Sequence, residues 1–294
     1  MSGRVIYSFI VDEHPKYAFQ AWHLAKSLLR HGATNSSDVT IQITPRVSAE
    51  IGEIFRAQGY AVHPLEPFGD GKWCNKISQL PNIWDQACER FVLLDTDMIA
   101  VGDPRPLLQG DSIQAKVVDG PNPRLDTLLE ILAAASGAPA PLMLTDATGD
   151  QTVVGNANGG FYGIPSGLAR SFQTEWKRWA LWLLDHSAPL RRDGKASHVD
   201  QVSAMLAFRV SGVPFSPAPS NLNYFVHLKP APRHHRSQDP ICLIHYHDIS
   251  MNGAGEIAPP IALTPEERTA VETANRQMRE DDHPHLRALY LAAR

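Results

Sequence analysis

Cysteine is scarce: the 294 residues hold three, Cys74, Cys88 and Cys242, an odd number with no CxxC spacing. That excludes a disulfide framework, gives no basis for a thiolate zinc site, and suits a reducing compartment. Long apolar runs are also missing. The longest weakly polar stretch, Leu128 to Leu144, contains Glu130, Gly137 and two prolines, so it fails the criterion of about 18 apolar residues for a spanning helix. The opening MSGRVIYSFIVDEHPK has one arginine and a short apolar run broken by Asp12 and Glu13, too short for the apolar segment of a secretion signal. Charge of one sign does not accumulate either. With 27 Lys and Arg against 31 Asp and Glu, no global field gathers nucleic acid or anionic lipid. The expectation is a soluble protein without a transmembrane segment or a nucleic-acid partner, in the cytoplasm or peripheral at the inner face of its membrane. What is present is 43% hydrophobic residues, enough for a sizeable core. The length allows about two domains, or one large α/β domain with an appendage.

The order of patterns is regular in the first half. RVIYSFIV, ending at Val11, is β-branched and aromatic, as a buried parallel strand requires. Tyr17 to Arg30 repeats apolar residues at helical spacing and stops at His31-Gly32. Val39 to Thr44 reads as a strand, Ser48 to Gln58 as a helix closed by Gly59, and Tyr60 to Leu65 as a strand. Helix is predicted over Trp73 to Leu80 and Trp84 to Cys88, and FVLLDTDMIAVGDP supplies a fourth strand. Such alternation implies a mostly parallel sheet with helices on both faces, whose ligands gather at the carboxyl ends of the strands.

The second half is less regular. Ile113 to Val118 reads as a strand, Leu125 to Ala135 as a helix, and Thr145 to Asn158 as a loop leading into NGGFYGIP. Phe172 to Leu184 carries Trp176, Trp179 and Leu183 as a core stripe, Val202 to Val210 looks helical, and Ile241 to Tyr246 is a short strand. Thr264-Pro-Glu-Glu267 forms a capping box that starts a helix, with another from Pro284 to Ala293. No internal repeat is found.

The sharpest chemical signal is Asp95-Thr96-Asp97 at the end of the apolar run FVLL. Two carboxylates where a strand bends into a loop can set hard oxygen donors around one divalent ion. The plain alternative is an acidic surface turn. Its place, where an α/β sheet binds ligands, favours the ion.

FVLLDTDMIAVGDP resembles the DxD strand of GT-A glycosyltransferases, in which the aspartates hold a divalent ion on the diphosphate of a nucleotide-sugar. IVDEHPKYAFQAWHLAKSLLRHG is similar to the first βα unit of retaining family 8 enzymes, the glycogenin and lipopolysaccharide-galactosyltransferase type. The resemblance implies that Val11 and Asp12 receive the base, Lys76 in KWCNKISQL faces the donor, and Asn158-Gly159-Gly160 lines the donor sugar. It implies further that Asp200-Gln201 stands beside the anomeric carbon, and that His245 joins Asp95 and Asp97 as the third protein ligand of the metal. It covers roughly residues 4 to 250 as ordered short motifs, which together are more specific than any one of them. The family's Lys-Pro-Trp element after the metal histidine is absent, replaced by HDISMNGAGE. The basic loop of Lys229, Arg233, His234, His235 and Arg236 is the substitute source of positive charge, or else an ordinary solvated loop. His247 is the rival ligand to His245. The plain reading of Asp200-Gln201 is helix capping, and that of the glycines a turn.

The resulting expectation is an α/β GT-A-like catalytic domain over residues 1–260 with a helical extension over 261–294. It transfers a sugar from a nucleotide-sugar, a UDP-sugar first, to a glycan, lipid-linked or small-molecule acceptor, with retention. Two carboxylates, an imidazole and diphosphate oxygens favour Mn²⁺, with Mg²⁺ second. Rival readings are a non-catalytic nucleotide-sugar-binding scaffold and a sugar-phosphate nucleotidyltransferase; the latter wants a glycine-rich basic loop after the first strand, which IVDEHPKYAF lacks. Of the six tryptophans, most sit at helical spacing and read as core, while Trp73 beside Lys72 stays open as a sugar-stacking surface.

Overall fold

The computed structural model describes residues 3–137, 139–229 and 233–293. Its strands in chain order are β1 (Val5–Val11), β2 (Val39–Ile43), β3 (Ala61–Pro64), β4 (Arg90–Leu94), β5 (Met98–Ala100), β6 (Ile113–Val117), β7 (Leu142–Leu144), β8 (Gln151–Val153), β9 (Ala157–Pro165), β10 (Phe215–Pro217), β11 (Tyr224–Phe225) and β12 (Leu243–His245). The helices are α1 (Pro15–His31), α2 (Ala49–Arg56), α3 (Leu125–Ala135), α4 (Ala169–Asp185), α5 (Ala188–Arg192), α6 (Val199–Arg209), α7 (Pro265–Glu280) and α8 (Pro284–Ala292).

Seven strands form the main sheet in the order β10-β6-β9-β4-β1-β2-β3, parallel except for β9. Strand β1 is buried almost throughout because helices cover both faces, which is why its sequence shows an apolar run instead of alternation. One face packs on α3, α4 and α6 around Trp176, Phe172 and Leu206. The other packs on α1 and α2 around Leu24, Leu28 and Phe55.

The antiparallel β9 decides where the site lies. It runs against β4 and pairs Phe161 with Leu94, the last residue of β4, and beyond that pair the Asp95 N–H donates to the Gly160 carbonyl at 3.0 Å. The NGG segment and the carboxyl ends of β1 and β4 therefore share one edge.

Three local expectations are corrected. FVLLDTDMIAVGDP is not one strand: β4 ends at Leu94, and β5 starts at Met98 in a different, three-stranded sheet ordered β11-β12-β5. The predicted helix over 84–88 does not form: the 3₁₀ segment Trp73–Asn82 ends in a turn, with Ile83 and Trp84 N–H both donating to the Leu80 carbonyl, and residues 86–88 are irregular. The expected loop over 145–158 contains β8, which pairs with β7 as a hairpin. Three-residue strands are too short to show a period of two.

The capping box forms as expected: Glu267 N–H donates to Thr264 Oγ1 at 3.2 Å and Thr264 N–H to Glu267 Oε2 at 2.8 Å. Helices α7 and α8 lie against α1. Phe19 stacks on Tyr290 at 4.5 Å and the Trp22 indole donates to the Asp281 carbonyl at 2.6 Å. Trp22, Trp176 and Trp179 are core residues, as read, whereas Trp73 is 51% exposed. Among the described residues no helix is long and apolar enough to cross a membrane.

Candidate active site

A cleft of about 640 Å³ opens at the carboxyl edge of the main sheet, where the small sheet meets it. It is lined by Asp12, Lys76, Asp95, Thr96, Asp97, Asn158, Gly159, Gly160, Asp200, Gln201 and His245. Val11 is the exception among the residues that the resemblance assigns to the base, the donor sugar and the metal. Its side chain is fully buried in the core, and its carbonyl accepts from Thr44 N–H at 3.1 Å, while its neighbours Ile10 and Asp12 line the wall. Asp12 is held by Thr44 Oγ1 and by Glu13 N–H, each at 2.8 Å.

The two aspartates of the DxD face different partners. Asp95, attached to the main sheet, pairs with the buried Lys76, which also donates to the Gly159 carbonyl. Asp97 belongs to the small sheet, where its carbonyl accepts from Tyr246 N–H at 3.1 Å. Its Oδ1 lies 3.1 Å from His245 Nε2 and its Oδ2 3.6 Å from His247 Nδ1. Burial raises the Asp97 pKa, but the two imidazoles outweigh it and hold the carboxylate well below its usual range. Thr96, between them, turns to Gln20 of α1 at 3.2 Å.

Asp97, His245 and His247 each present a ligand atom, all within 4.8 Å of one another. Neighbouring donors around a divalent transition ion stand about 3 Å apart, given ligand distances of about 2.0–2.2 Å. The spacing to Asp97 fits such an ion, and the nitrogen-rich donor set suits manganese, iron, cobalt or zinc better than magnesium.

Hydrogen bonds from behind fix these groups. His245 Nδ1 lies 2.8 Å from Asn223 Oδ1, which leaves Nε2 for the Asp97 side. Asn223 Nδ2 donates to Asn158 Oδ1 at 2.9 Å, and Gly160 N–H donates to the same oxygen at 2.9 Å. The glycines are demanded by close approach: a Cβ on Gly160 would lie 2.6 Å from His245 Cε1, and one on Gly159 2.9 Å from Asp200 Oδ2.

Asp200 is in the first turn of α6, two residues after the N-cap His198. Its carboxyl group reaches the cleft, with Oδ1 buried and unpartnered. Burial pushes its pKa up to about 7, against the pull of Lys76.

Among the described residues the basic loop does not line the cleft. Arg233 is buried and pairs with Asp119 at 2.7 Å, Arg236 pairs with Glu266, and none of Lys229, Arg233, His234, His235 and Arg236 lines the wall. Residues 230–232 of that loop lie outside the described residues. Sequence reasoning passed over Lys16, Tyr17 and Gln20, which line the cleft from the start of α1. The rule that ligands gather beyond strand ends points to that turn, but nothing in the residues themselves marks them. Asn223 and His227 carry no signal at all.

No protein-family profile and no curated protein matches the chain. Solved structures do. The galactosyltransferase LgtC, in complex with donor and acceptor sugar analogues, is similar over 94% of this chain and 99% of its own, with a TM-score of 0.52 and 14% identity. An active-site mutant of LgtC superposes with a TM-score of 0.54 at 12% identity, over 94% and 99% of the two chains. Mouse xyloside xylosyltransferase 1 in its apo form gives 0.50 at 13% identity, over 83% and 98%. The chain thus has the GT-A fold that its DxD strand and first βα unit resemble.

Proposed function

We propose that the protein is a metal-dependent glycosyltransferase that takes its sugar from a nucleotide-sugar, a UDP-sugar first, and transfers it with retention in the cytoplasm. The observation that carries this reading is the meeting of Asp97 and His245, 3.1 Å apart, with Lys76, Asp95 and Asp200 in one cleft of a GT-A fold. Asp97 and His245 would hold the cation, which supplies Lewis-acid stabilisation of the departing diphosphate. Lys16 and Lys76 both line the cleft, paired with Asp248 and Asp95, and would turn their ammonium groups to a polyanionic donor. Asp12 and Tyr17 offer the base a carboxylate and a ring at the end of β1. Asp200 and Gln201, across Gly159 from Lys76, are placed to face the sugar, Asp200 acting on the anomeric centre as nucleophile or as a charge that stabilises oxocarbenium character.

The acceptor side is the mouth of the cleft, where Trp73 and Ile249 stand 51% and 66% exposed. Apolar side chains left open at the rim of a polar cleft suit the ring face of a sugar.

Calorimetric titration with UDP and GDP, each with Mn²⁺, Mg²⁺ or EDTA, tests the reading. Mn²⁺-dependent binding of UDP is expected. Absence of binding for both nucleotides would move the weight to the scaffold reading, against which the buried carboxyl of Asp200, its Oδ1 without a partner, stands: such an atom costs stability and is retained where chemistry uses it.

A further inference from the structure

We propose that the protein's ligands to the cation are Asp97, His245 and His247, and that Asp95 is the counter-charge of Lys76 and no metal ligand. This rests on the reading above only for the presence of a cation in the cleft.

The three proposed ligands belong to one rigid unit. Asp97 precedes β5, and His245 ends β12, which pairs with β5 so that His245 stands opposite Met98. His247 follows two residues later. Asp95 belongs to the main sheet instead, through its N–H to the Gly160 carbonyl at 3.0 Å. A carboxylate already paired with a buried ammonium must give up that partner to enter a metal shell, and the ammonium, once alone, has no other carboxylate at hydrogen-bond distance among the described residues. Removing one partner from a buried pair is costly.

His247 is held in place for a task other than hydrogen bonding. Its ring stacks on that of His245 with centroids 3.9 Å apart, presenting Nδ1 to Asp97, while its Nε2 is buried and unpartnered. Its backbone lies at φ 52°, ψ 159°, a region that side-chain-bearing residues avoid and that persists where function requires it. Glycine would occupy it without strain. A histidine kept there, aimed at the carboxylate that His245 also faces, is accounted for by ligation.

The consequence is cation choice. Two imidazoles and one carboxylate favour Mn²⁺, Co²⁺ or Zn²⁺ over Mg²⁺ and Ca²⁺, which select oxygen. Diphosphate and water would fill the remaining positions.

The test uses the full chain with metal alone, then with UDP. Mn²⁺ and Co²⁺ affinities are measured for wild type, His247→Gly, His247→Gln and Asp95→Asn, and nitrogen couplings to bound Mn²⁺ are counted by pulsed electron paramagnetic resonance. Wild type should show two coupled nitrogens and each His247 variant one. Both His247 variants should weaken Mn²⁺ by at least about tenfold, the lower bound for disturbing even a group that only supports a ligand. Asp95→Asn should bind Mn²⁺ within about threefold of wild type, well short of that bound. Glycine relieves the backbone while the variant loses the ring contacts to Phe225, His227 and His245, so both metal-free His247 variants are first checked for a cooperative melt, which keeps a loss of metal from being put down to misfolding. A single coupled nitrogen in wild type, undiminished Mn²⁺ binding in His247→Gly, or lost binding in Asp95→Asn would each overturn the proposal. Should metal-dependent UDP binding survive in His247→Gly, the ligand set fails and the transferase reading stands. Should wild type bind Mn²⁺ with two nitrogens but take no nucleotide, the reverse holds.

Discussion

Asn223 sets the ring of His245: its Oδ1 lies 2.8 Å from His245 Nδ1, on the side away from Asp97. An amide oxygen there requires Nδ1 to carry a proton, so Nε2 is the nitrogen turned to Asp97 and the one a cation would use. The amide nitrogen of the same Asn223 reaches Asn158, which in turn takes the Gly160 N–H. One side chain thus ties the small sheet to the first residues of β9.

Asn223→Ala should lower divalent-cation affinity about 10–100-fold, the range for losing a supporting hydrogen bond. Asn223→Asp, which keeps the acceptor, should restore most of it. Mn²⁺ titration of both variants decides; equal affinity in Asn223→Ala and wild type would show that the ring is oriented by packing alone.

Asp200 makes stability depend on pH in a definite sense. Its pKa rises from 3.8 to about 7 on folding, by burial. The folded state therefore keeps a proton that the unfolded state releases above about pH 4. The stabilisation is fully present below the unfolded value and is lost as pH climbs through about 7. Wild type should lose up to about 4 kcal/mol between about pH 4 and pH 8 from this group, and Asp200→Asn should flatten that part of the curve. Chemical denaturation across the range measures it. If the carboxylate is the working form, kcat rises over the same interval in wild type.

Gly160→Ala should cost both stability and metal. The added methyl would sit 2.6 Å from His245 Cε1 and 2.8 Å from Asn158 Oδ1, and neither neighbour is free to move. Overpacking of this kind costs about 1–3 kcal/mol. A lowered melting temperature with weakened Mn²⁺ binding is expected, whereas Gly167→Ala, which meets nothing within 4 Å, should leave both unchanged.

Trp73→Ala should raise the KM for a sugar acceptor severalfold, in keeping with about 0.5–1.5 kcal/mol for a lost aromatic contact, and leave UDP affinity unaltered. Trp73→Phe should fall between. An acceptor screen with donor held saturating reads this directly; a change in UDP affinity instead would assign the ring to the donor.

The parts of the molecule that were legible in the sequence are those with local causes. The run VIYSFIV, the stripe through Trp176 and Trp179 and the box at Thr264 each carry their own signal, and each forms the expected element. The DxD announced itself by breaking an apolar run. Its division between two sheets did not, because the partners that divide it, Lys76 and His245, come from distant parts of the chain. Asn223 was invisible for the same reason: it follows a one-turn 3₁₀ segment, Ser220–Leu222, with no periodicity. Arg233 misled in the opposite direction. A basic loop reads as solvated, yet Asp119 draws this guanidinium inside, where it donates to the Phe225 carbonyl at 3.0 Å.

The strand pair β5 and β12 joins stretches of chain that are far apart, placing His245 against Met98. A cation shared by Asp97 and His245 is therefore also a cross-link, closing a loop of roughly 150 residues whose closure the bare chain must otherwise sustain by packing. By mass action such a link adds about 2.7 kcal/mol to folding stability at a hundredfold excess over Kd. Cation occupancy thus becomes readable as heat resistance, by a melting curve alone, before any sugar donor or acceptor is known.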